Sequence, residues 1–226
     1  MFTMMNNARF GVGMEGVAIA ERAYQHALAY AKERVQGRAV GGPKGAAIIH
    51  HADVRHMLMT MKALTEASRA VAYHVGAQND IAAHADDETV RQEADDRVAL
   101  LTPIVKAWST DIGVDVASLG VQIHGGMGFI EETGAAQYYR DVRVTAIYEG
   151  TNGIQAMDMV GRKLMDGGEA ANRLLDETEA FADTAKTTLP DLAEAVWDAA
   201  ESLRDTTDCL AAHPPPDPPG PAVPHP

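Results

Sequence analysis

The sequence is poor in cysteine, in positive charge and in long apolar runs. Cys209 is the single cysteine among 226 residues, so neither an intrachain disulfide nor a cysteine metal cluster can form, which suits a reducing compartment. The net charge of −13 repels phosphate backbones, although one basic pocket can still take a phosphorylated ligand. No apolar run reaches the roughly 20 residues that span a bilayer, and residues 1–9 do not resemble a signal peptide. These absences predict a cytoplasmic protein that binds neither nucleic acid nor membrane.

Aromatic residues are also scarce, at 5% of the chain, while hydrophobic residues in total reach 46%. Strands favour aromatic and β-branched residues, whereas the plentiful Ala, Met, Glu and Leu favour helix. The composition therefore predicts an all-α protein with a core of useful size.

Apolar residues recur every three or four positions in four long segments, which is the pattern of amphipathic helices. We predict helices over 6–36, 54–79, 98–123 and 151–164, packed as an antiparallel four-helix bundle. The polar and acidic segment 82–96 is predicted to be a surface loop with an added turn of helix. Nothing in the sequence has the regular spacing of short strands.

Proline and glycine mark the remaining boundaries. Thr102-Pro103 lies inside the third apolar stripe, where Thr102 either caps a helix or precedes a kink. Additional helices are expected after Gly167-Gly168, split at Leu189-Pro190. In the second of them, the predicted buried stripe consists of Leu192, Val196, Ala199 and Leu203.

These boundaries predict three parts of the chain. Residues 1–166 form the helical bundle, residues 167–212 form the additional C-terminal helices, and residues 213–226 form a proline-rich tail. Such a tail cannot form a helix or a sheet, so we predict an extended or disordered segment.

The first candidate site is the run from Tyr148 to Gln155, Tyr-Glu-Gly-Thr-Asn-Gly-Ile-Gln, in which Glu149 precedes a glycine turn that opens a helix. A carboxylate there can serve as a general base. The ordinary structural interpretation is that Glu149 complements the helix dipole and Thr151 is the N-cap. Physical arguments alone favour the structural interpretation.

Two further candidates contain glycine or arginine at helix ends. Gly125-Gly126 follows a long helix, so the backbone can approach a ligand closely and bind phosphate, or can simply end the helix. Arg34 and Arg38 can hold a phosphate, or can merely interact with a helix C-terminus. The triplet starting at His124 resembles an esterase oxyanion loop, but no Gly-x-Ser-x-Gly nucleophile motif accompanies it.

A histidine-based metal site has little support. Asp53 lies between His51 and His56, but these histidines are five positions apart, and no cysteine is near to complete a ligand set. We therefore predict no metal ion.

Taken together and in this order, the three clusters resemble the acyl-CoA dehydrogenase family. Residues 139–151 resemble its Arg-Asp segment followed by Ile-Tyr-Glu-Gly-Thr, residues 122–128 resemble its Gln-x-x-Gly-Gly-x-Gly, and residues 29–34 resemble its Tyr-Ala-x-x-Arg helix end. The resemblance covers about residues 6–164. It is strongest to the longer bacterial members of the methylthiopropanoyl-CoA dehydrogenase type. It implies the C-terminal, all-helical domain of such an enzyme.

The resemblance implies FAD-dependent α,β-dehydrogenation of an acyl-CoA thioester to the trans-2-enoyl-CoA, as in fatty acid metabolism. It implies that Glu149 is the catalytic base and that the substrate is bound by Arg9, Tyr148 and Gly150. The cofactor-binding residues that it implies for FAD are Arg34, Gln122, Gly125, Gly126 and Thr151.

The resemblance also implies partners. In the family, the residues that correspond to Arg34 and to the Gln122 loop reach the FAD of a neighbouring subunit, which implies a homo-oligomer. Electron-transfer flavoprotein is the implied electron acceptor. Family members also carry an N-terminal helical domain and a β-domain, so we expect this chain to be weakly active or inactive alone. The alternative function is a non-catalytic helical oligomerisation or partner module.

Overall fold

The structure is a computed structural model that describes residues 2–165 and 167–212. Within these ranges the regular structure is helical apart from one isolated bridge between Val35 and Ala47, which confirms the all-α prediction. None of the described helices combines the length and apolarity needed to cross a membrane. The α-helices are α1 (Phe2–Glu33), α2 (Ala52–His84), α3 (Glu88–His124), α4 (Gly126–Phe129), α5 (Ala135–Thr145), α6 (Asn152–Asp158), α7 (Glu169–Ala185) and α8 (Pro190–Ala212).

Helices α1, α2, α3 and α5 pack together and run alternately up and down. On α1 and α2, Glu21 pairs with Arg69 at 2.5 Å, while the ring of Phe10 lies 3.6 Å from the Cβ position of Gly76. The residue numbers rise on one helix as they fall on the other, so α1 and α2 are antiparallel. The predicted antiparallel four-helix bundle is confirmed, but the prediction that its fourth helix is 151–164 is wrong. The fourth helix is α5, which packs against both α1 and α3.

Helices α1 and α3 run in the same direction and approach closely through small residues. A Cβ atom on Gly16 would lie 2.4 Å from the carbonyl oxygen of Ser109, and one on Gly113 would lie 3.0 Å from the carbonyl oxygen of Gly16. Ala20, Ala27 and other alanines continue this buried face of α1. The larger apolar residues of the predicted stripe flank this face and are mostly half-buried.

The predicted surface loop at 82–96 is wrong, because only Ala85, Asp86 and Asp87 separate α2 from α3. Asp87 caps α3 by accepting a hydrogen bond from the backbone N–H of Thr89 at 2.7 Å. Arg91 donates to the carbonyl of Ala85 at 2.5 Å and closes the turn. The acidic residues therefore begin a helix, as side-chain caps do.

Pro103 lies in the interior of α3, so the alternative in which Thr102 begins a helix is wrong. Proline has no N–H to donate to the carbonyl of Ala99. The hydroxyl of the buried Thr102 donates to the carbonyl of Val98 at 2.7 Å. The predicted helix at 151–164 is observed as α6 followed by a π-helical stretch, Met159–Lys163.

The chain divides into two compact units, residues 1–156 and 157–226. In the second unit α7 packs against α8, with the predicted break before Pro190. Arg204 of α8 joins the two helices by hydrogen bonds to Glu179 at 3.1 Å and Asp176 at 2.8 Å. The division at residue 166 stays a prediction, and the predicted tail at 213–226 lies outside the described residues.

The predicted buried stripe of α8 is wrong. Leu192 is 63% exposed and Leu203 is 57% exposed, whereas the buried positions are Ala193, Ala200 and Thr207. These three residues repeat every seven positions and allow α8 to approach its neighbour closely. The buried face is therefore rotated by one residue from the face that hydrophobicity predicts.

Candidate active site

Glu149 lies in the loop between α5 and α6 and has an unusual backbone conformation. Its φ of +54° makes it the one described non-glycine residue in the left-handed region, and Gly150 follows at +86°. Such a conformation costs roughly 1–3 kcal/mol at a non-glycine residue and persists only where neighbouring contacts enforce it. The predicted base is therefore held in place by the surrounding structure.

Gln155 and Thr151 hold the C-terminal side of this loop. The Gln155 side chain is 1% exposed, and its Nε2 donates to the carbonyl of Gly150 at 3.1 Å. The φ of +86° favours glycine at position 150, and a Cβ atom there would lie 2.9 Å from that nitrogen. The Thr151 hydroxyl accepts a hydrogen bond from the N–H of Ile154 at 3.3 Å, as expected for a residue that caps α6.

Asn152 fastens the start of α6 to one turn of α3. Its Oδ1 accepts a hydrogen bond from Lys106 Nζ at 2.9 Å, and its Nδ2 donates to Asp111 Oδ1 at 2.7 Å. The same Nδ2 lies 3.2 Å from the carbonyl of Ala107, and Thr110 Oγ1 also contacts the amide. The asparagine side chain thus satisfies polar groups from successive positions on the same face of α3.

Two buried cations lie beside the Glu149 loop. Lys106 is fully buried, and Arg9 is 8% exposed with its Nη2 3.7 Å from the Cβ position of Gly150. Burial lowers the pKa of Lys106, and the charge of Arg9 lowers it further, while the carboxylates of Asp111 and Glu149 act in the opposite direction. Lys106 therefore lies close enough to Glu149 for their charges to interact.

Tyr148 connects the loop to α1. Its hydroxyl donates a hydrogen bond to the Glu15 carboxylate. Burial, followed by this hydrogen bond and the nearby charges of Glu15 and Glu149, raises the pKa of Tyr148 to about 12. The phenol therefore stays neutral at ordinary pH.

The structure brings the predicted base and substrate-side residues, Arg9, Tyr148, Glu149 and Gly150, to one end of the bundle. Sequence reasoning missed Lys106, Asn152 and Glu15 there. The available signal was a lysine within the apolar stripe of α3, directly after the buried Val105.

The other predicted residues lie near the opposite end of α1. Arg34 and Gly125 line a cavity of about 310 Å³ together with Tyr30, His51 and His124. Gly125 has a φ of +61°, and a Cβ atom on it would meet no atom within 4 Å. Gly126 has the same open surroundings, and Gln122 is exposed on the last turn of α3.

His124 presents a polar atom that the described protein residues leave without a partner. Its Nδ1 lies 2.7 Å from the carbonyl of Gly120, and because a carbonyl only accepts, Nδ1 carries the proton. The ring stacks on Tyr30 with centroids 4.4 Å apart, and His26 packs edge-on at 4.6 Å. His124 Nε2 is buried without a hydrogen-bond partner among those residues. This end of the bundle thus combines an open glycine backbone, an arginine and an unpaired histidine nitrogen.

The two ends are far apart. Arg9 and the last residue of α1, Glu33, are separated by 24 positions, or roughly 36 Å at the helical rise of 1.5 Å per residue. The Arg34 group is therefore not brought together with Glu149 and Thr151 within one chain.

The histidines considered for a metal site have other contacts or stay apart. His51 Nε2 donates to the carbonyl of Gln36 at 3.0 Å and fastens the loop after α1. Across residues 2–165 and 167–212, no group of three histidine, cysteine, aspartate or glutamate side chains is arranged to hold a metal ion.

Comparison with known proteins identifies the family. Residues 1–165 match the acyl-CoA dehydrogenase C-terminal domain. A 3-methylmercaptopropionyl-CoA dehydrogenase of Ruegeria pomeroyi is 56% identical over 179 residues, which cover 78% of this chain and 30% of the relative. A butyryl-CoA dehydrogenase of Syntrophomonas wolfei is 38% identical over 190 residues, covering 83% of this chain and 31% of the relative.

A solved structure agrees with these relatives. Butyryl-CoA dehydrogenase from Megasphaera elsdenii superimposes with a TM-score of 0.57 at 29% identity, covering 70% of this chain and 36% of that structure. The chain thus spans about a third of the length of the proteins it matches. It belongs to the acyl-CoA dehydrogenase family, as its motifs predict, and its first 165 residues correspond to that family's C-terminal domain.

Proposed function

We propose that this chain supplies the general base and part of the flavin site of an acyl-CoA dehydrogenase, which oxidises an acyl-CoA thioester to the trans-2-enoyl-CoA. The observation that carries the proposal is the conformation of Glu149. It is held at a positive φ, next to Tyr148 and to Gly150, whose Cβ position lies 3.7 Å from Arg9 Nη2. A purely dipole-complementing acid needs no such strained position.

In the proposed reaction, the Glu149 carboxylate removes the proton from the carbon next to the thioester carbonyl. FAD, when bound, accepts the β-hydrogen as a hydride, so that the Cα–Cβ bond becomes a double bond. Negative charge develops on the thioester oxygen as the proton leaves, and the neighbouring cation Arg9 stabilises it electrostatically. Tyr148 stays protonated and orders Glu15 at the edge of the site.

The far end of the bundle fits a phosphate-bearing cofactor. The backbone around Gly125 and Gly126 is open, Arg34 is exposed, and His124 Nε2 is buried without a hydrogen-bond partner among the described residues. We propose that these groups contact FAD, with Gln122 beside them. Because this end lies roughly 36 Å along α1 from the base, it would serve the FAD of a second copy, and the active protein would be a homo-oligomer.

We further propose short acyl-CoA thioesters as substrates and electron-transfer flavoprotein as the electron acceptor. Both the methylmercaptopropionyl and the butyryl groups in the names of the relatives are short acyl chains. The family resemblance supports the electron acceptor.

The test is the visible flavin spectrum of the chain, purified alone and with the polypeptide encoded directly upstream, before and after addition of butyryl-CoA without oxygen. We expect the complete pair to carry flavin that butyryl-CoA bleaches. Glu149→Gln should bind flavin equally well but bleach at least about 100-fold more slowly, as for loss of a general base. Glu93→Gln, which removes an exposed carboxylate from α3, is the matched control.

Two outcomes would contradict the proposal. A Glu149→Gln pair that bleaches as fast as the unaltered pair would remove Glu149 from the reaction. A pair that stays colourless with added FAD would reject the enzyme function and favour the non-catalytic oligomerisation or partner module.

A further inference from the structure

Lys106 is an unexpected residue in the interior of the bundle. Its side chain is fully buried, and it directly follows the buried Val105 on the turn of α3 that contacts α6. Burial of an ammonium group is unfavourable unless the group is hydrogen-bonded and faces opposite charge. Both conditions are met here, because Nζ donates to Asn152 and the charges of Asp111 and Glu149 act on it.

Asn152 connects Lys106 to the loop that carries the proposed base, Glu149. The Asn152 side chain is fixed to α3, and its backbone N–H donates to the carbonyl of Ala146 at 3.2 Å. That backbone bond closes the loop between α5 and α6 around Glu149. Gln155 holds the carbonyl side of the same turn.

We propose that Lys106 and Asn152 are positioning residues for the base, in that their partly buried hydrogen bond holds the loop which keeps Glu149 in its left-handed conformation. This inference rests on the proposed function of Glu149 as the base. Lys106 acts through Asn152 and is not itself a catalytic residue.

A merely structural lysine would have a different effect when removed. If Lys106 only joined α6 to α3, its removal would weaken the whole bundle evenly. A positioning role requires a local effect, in which the backbone around Glu149 changes while the helices stay intact. The two roles are therefore separated by comparing the loop with α2 in the same molecule.

The experiment measures amide hydrogen exchange and the HN–Hα coupling constant of Glu149 by NMR in the purified chain. The variants are Lys106→Met, Asn152→Ala and the double variant. Lys62→Met, which removes an exposed lysine of α2, is the control. The coupling constant reports the φ angle of Glu149, and the amide of residue 152 reports whether the loop is closed.

We expect either single variant to accelerate exchange at residue 152 about tenfold or more, as for loss of a charge-assisted hydrogen bond. The coupling constant of Glu149 should change as well, while amides of α2 keep their rates. The double variant should be no faster than the faster single variant, because both changes break the Lys106–Asn152 hydrogen bond, and Asn152→Ala alone already breaks the other contacts of Asn152 with α3. Lys62→Met should leave all of these signals unchanged.

An unchanged coupling constant and unchanged exchange at residue 152 in Lys106→Met would overturn the inference, as would additive effects of the two changes. If Lys106→Met also accelerates exchange throughout α2, Asn152→Ala decides, because it alters only the half-buried partner. A normal Glu149 coupling constant in that variant would then reject the positioning role.

A flavin assay on the assembled pair separates this inference from the proposed function. Lys106→Met should slow bleaching while the butyryl-CoA concentration needed for half-saturation stays nearly constant, as for a misplaced base. If the variants change the amide exchange and coupling constant of the Glu149 loop, but the flavin of the assembled pair is never bleached by butyryl-CoA, only the enzyme function is rejected. If the variants leave these NMR signals unchanged and the flavin of the assembled pair is bleached normally, only the positioning role is rejected.

Discussion

The backbone of Glu149 allows a test in which the usual preference for alanine over glycine is reversed. Its φ of +54° is unfavourable for any residue with a Cβ atom, by roughly 1–2 kcal/mol. Glu149→Ala removes the carboxylate and keeps this strain, whereas Glu149→Gly removes both. Glycine also loses more conformational entropy on folding, which offsets roughly 0.5–1 kcal/mol of the gain from relieving the strain. We therefore expect Glu149→Gly to be more stable than Glu149→Ala by about 1 kcal/mol.

The matched control is Ala18, an exposed residue of α1. In a helix interior, alanine to glycine costs about 1 kcal/mol, so the sign should be opposite there. A difference of 1 kcal/mol shifts the melting temperature by about 2–4 °C in a chain of this size. Fluorescence of Trp108 in a Trp197→Phe background follows the unit that contains α1 to α3.

The expected order is that Glu149→Gly melts about 2–4 °C above Glu149→Ala, while Ala18→Gly melts below the parent chain by a similar amount. If glycine is the less stable residue at both positions, Glu149 is not held in a left-handed conformation. The argument that the fold enforces strain at the base would then fail. If the expected order is found, glycine is the residue that suits the backbone at position 149 best, but glycine cannot accept a proton. A residue that is retained at the expense of stability is typical of a functional site rather than of a structural one.

Two further predictions concern the packing of α1 and the Tyr148 hydrogen bond. Gly16→Ala should destabilise the chain by about 1–3 kcal/mol in urea unfolding, since its Cβ would lie 2.4 Å from a backbone oxygen of α3. Gly11→Ala, on the open side of α1, should instead stabilise the chain by up to about 1 kcal/mol. Equal stabilities of the two variants would contradict the close approach of α1 to α3. The pKa of Tyr148 is raised from 10.0 to about 12, so the native state holds this proton more tightly than the unfolded chain, and the resulting stability is intact below pH 10 and lost as the pH rises through 12. Tyr148→Phe should flatten that alkaline loss in denaturation curves between pH 9 and 12, by an amount reduced by solvent screening, and an unchanged slope would refute the hydrogen bond.

Helix positions were predictable where apolar periodicity extends over many turns, as in α2 and α3. Apolar periodicity does not predict the structure of the segment 82–96, where a side-chain cap determines the start of the helix instead. The side chain of Asp87 caps a new helix after a break of three residues, and the acidic residues that suggested a loop form the first turns of α3. A cap of this kind is visible in the sequence only if the end of the preceding helix is already known.

The buried face of a helix was less predictable than its position. On α8 the leucines at 192 and 203 are exposed, while Ala193 and Ala200 are buried. On α1 the glycines and alanines contact α3, and the larger residues flank them. Hydrophobicity ranks large side chains first, but the closest approach of two helices requires small ones.

The residues of the candidate site divide in the same way. Glu149 and Arg9 were predicted through the resemblance of the sequence to the family motifs. Lys106 and Asn152 were not identified, because their contact joins residues 46 positions apart and no local pattern reports it. A single polar residue in an apolar stripe predicts burial with a partner, but the partner becomes known only from the fold.

The close packing of α1 on α3 and the electrostatics of the candidate site have a common origin. A Cβ atom on Gly13 would lie 2.7 Å from the side chain of Val105, which directly precedes Lys106. Arg9 lies one helical turn before Gly13, so the glycine contact that sets the register of the two helices also places the two buried cations beside each other and beside the Glu149 loop. A side chain at Gly16 would force the helices apart without touching the base, and would thereby weaken the field of both cations on it. The glycines of α1 therefore set the separation of the two helices that carry Arg9 and Lys106, and we expect them to influence the proposed reaction in this way.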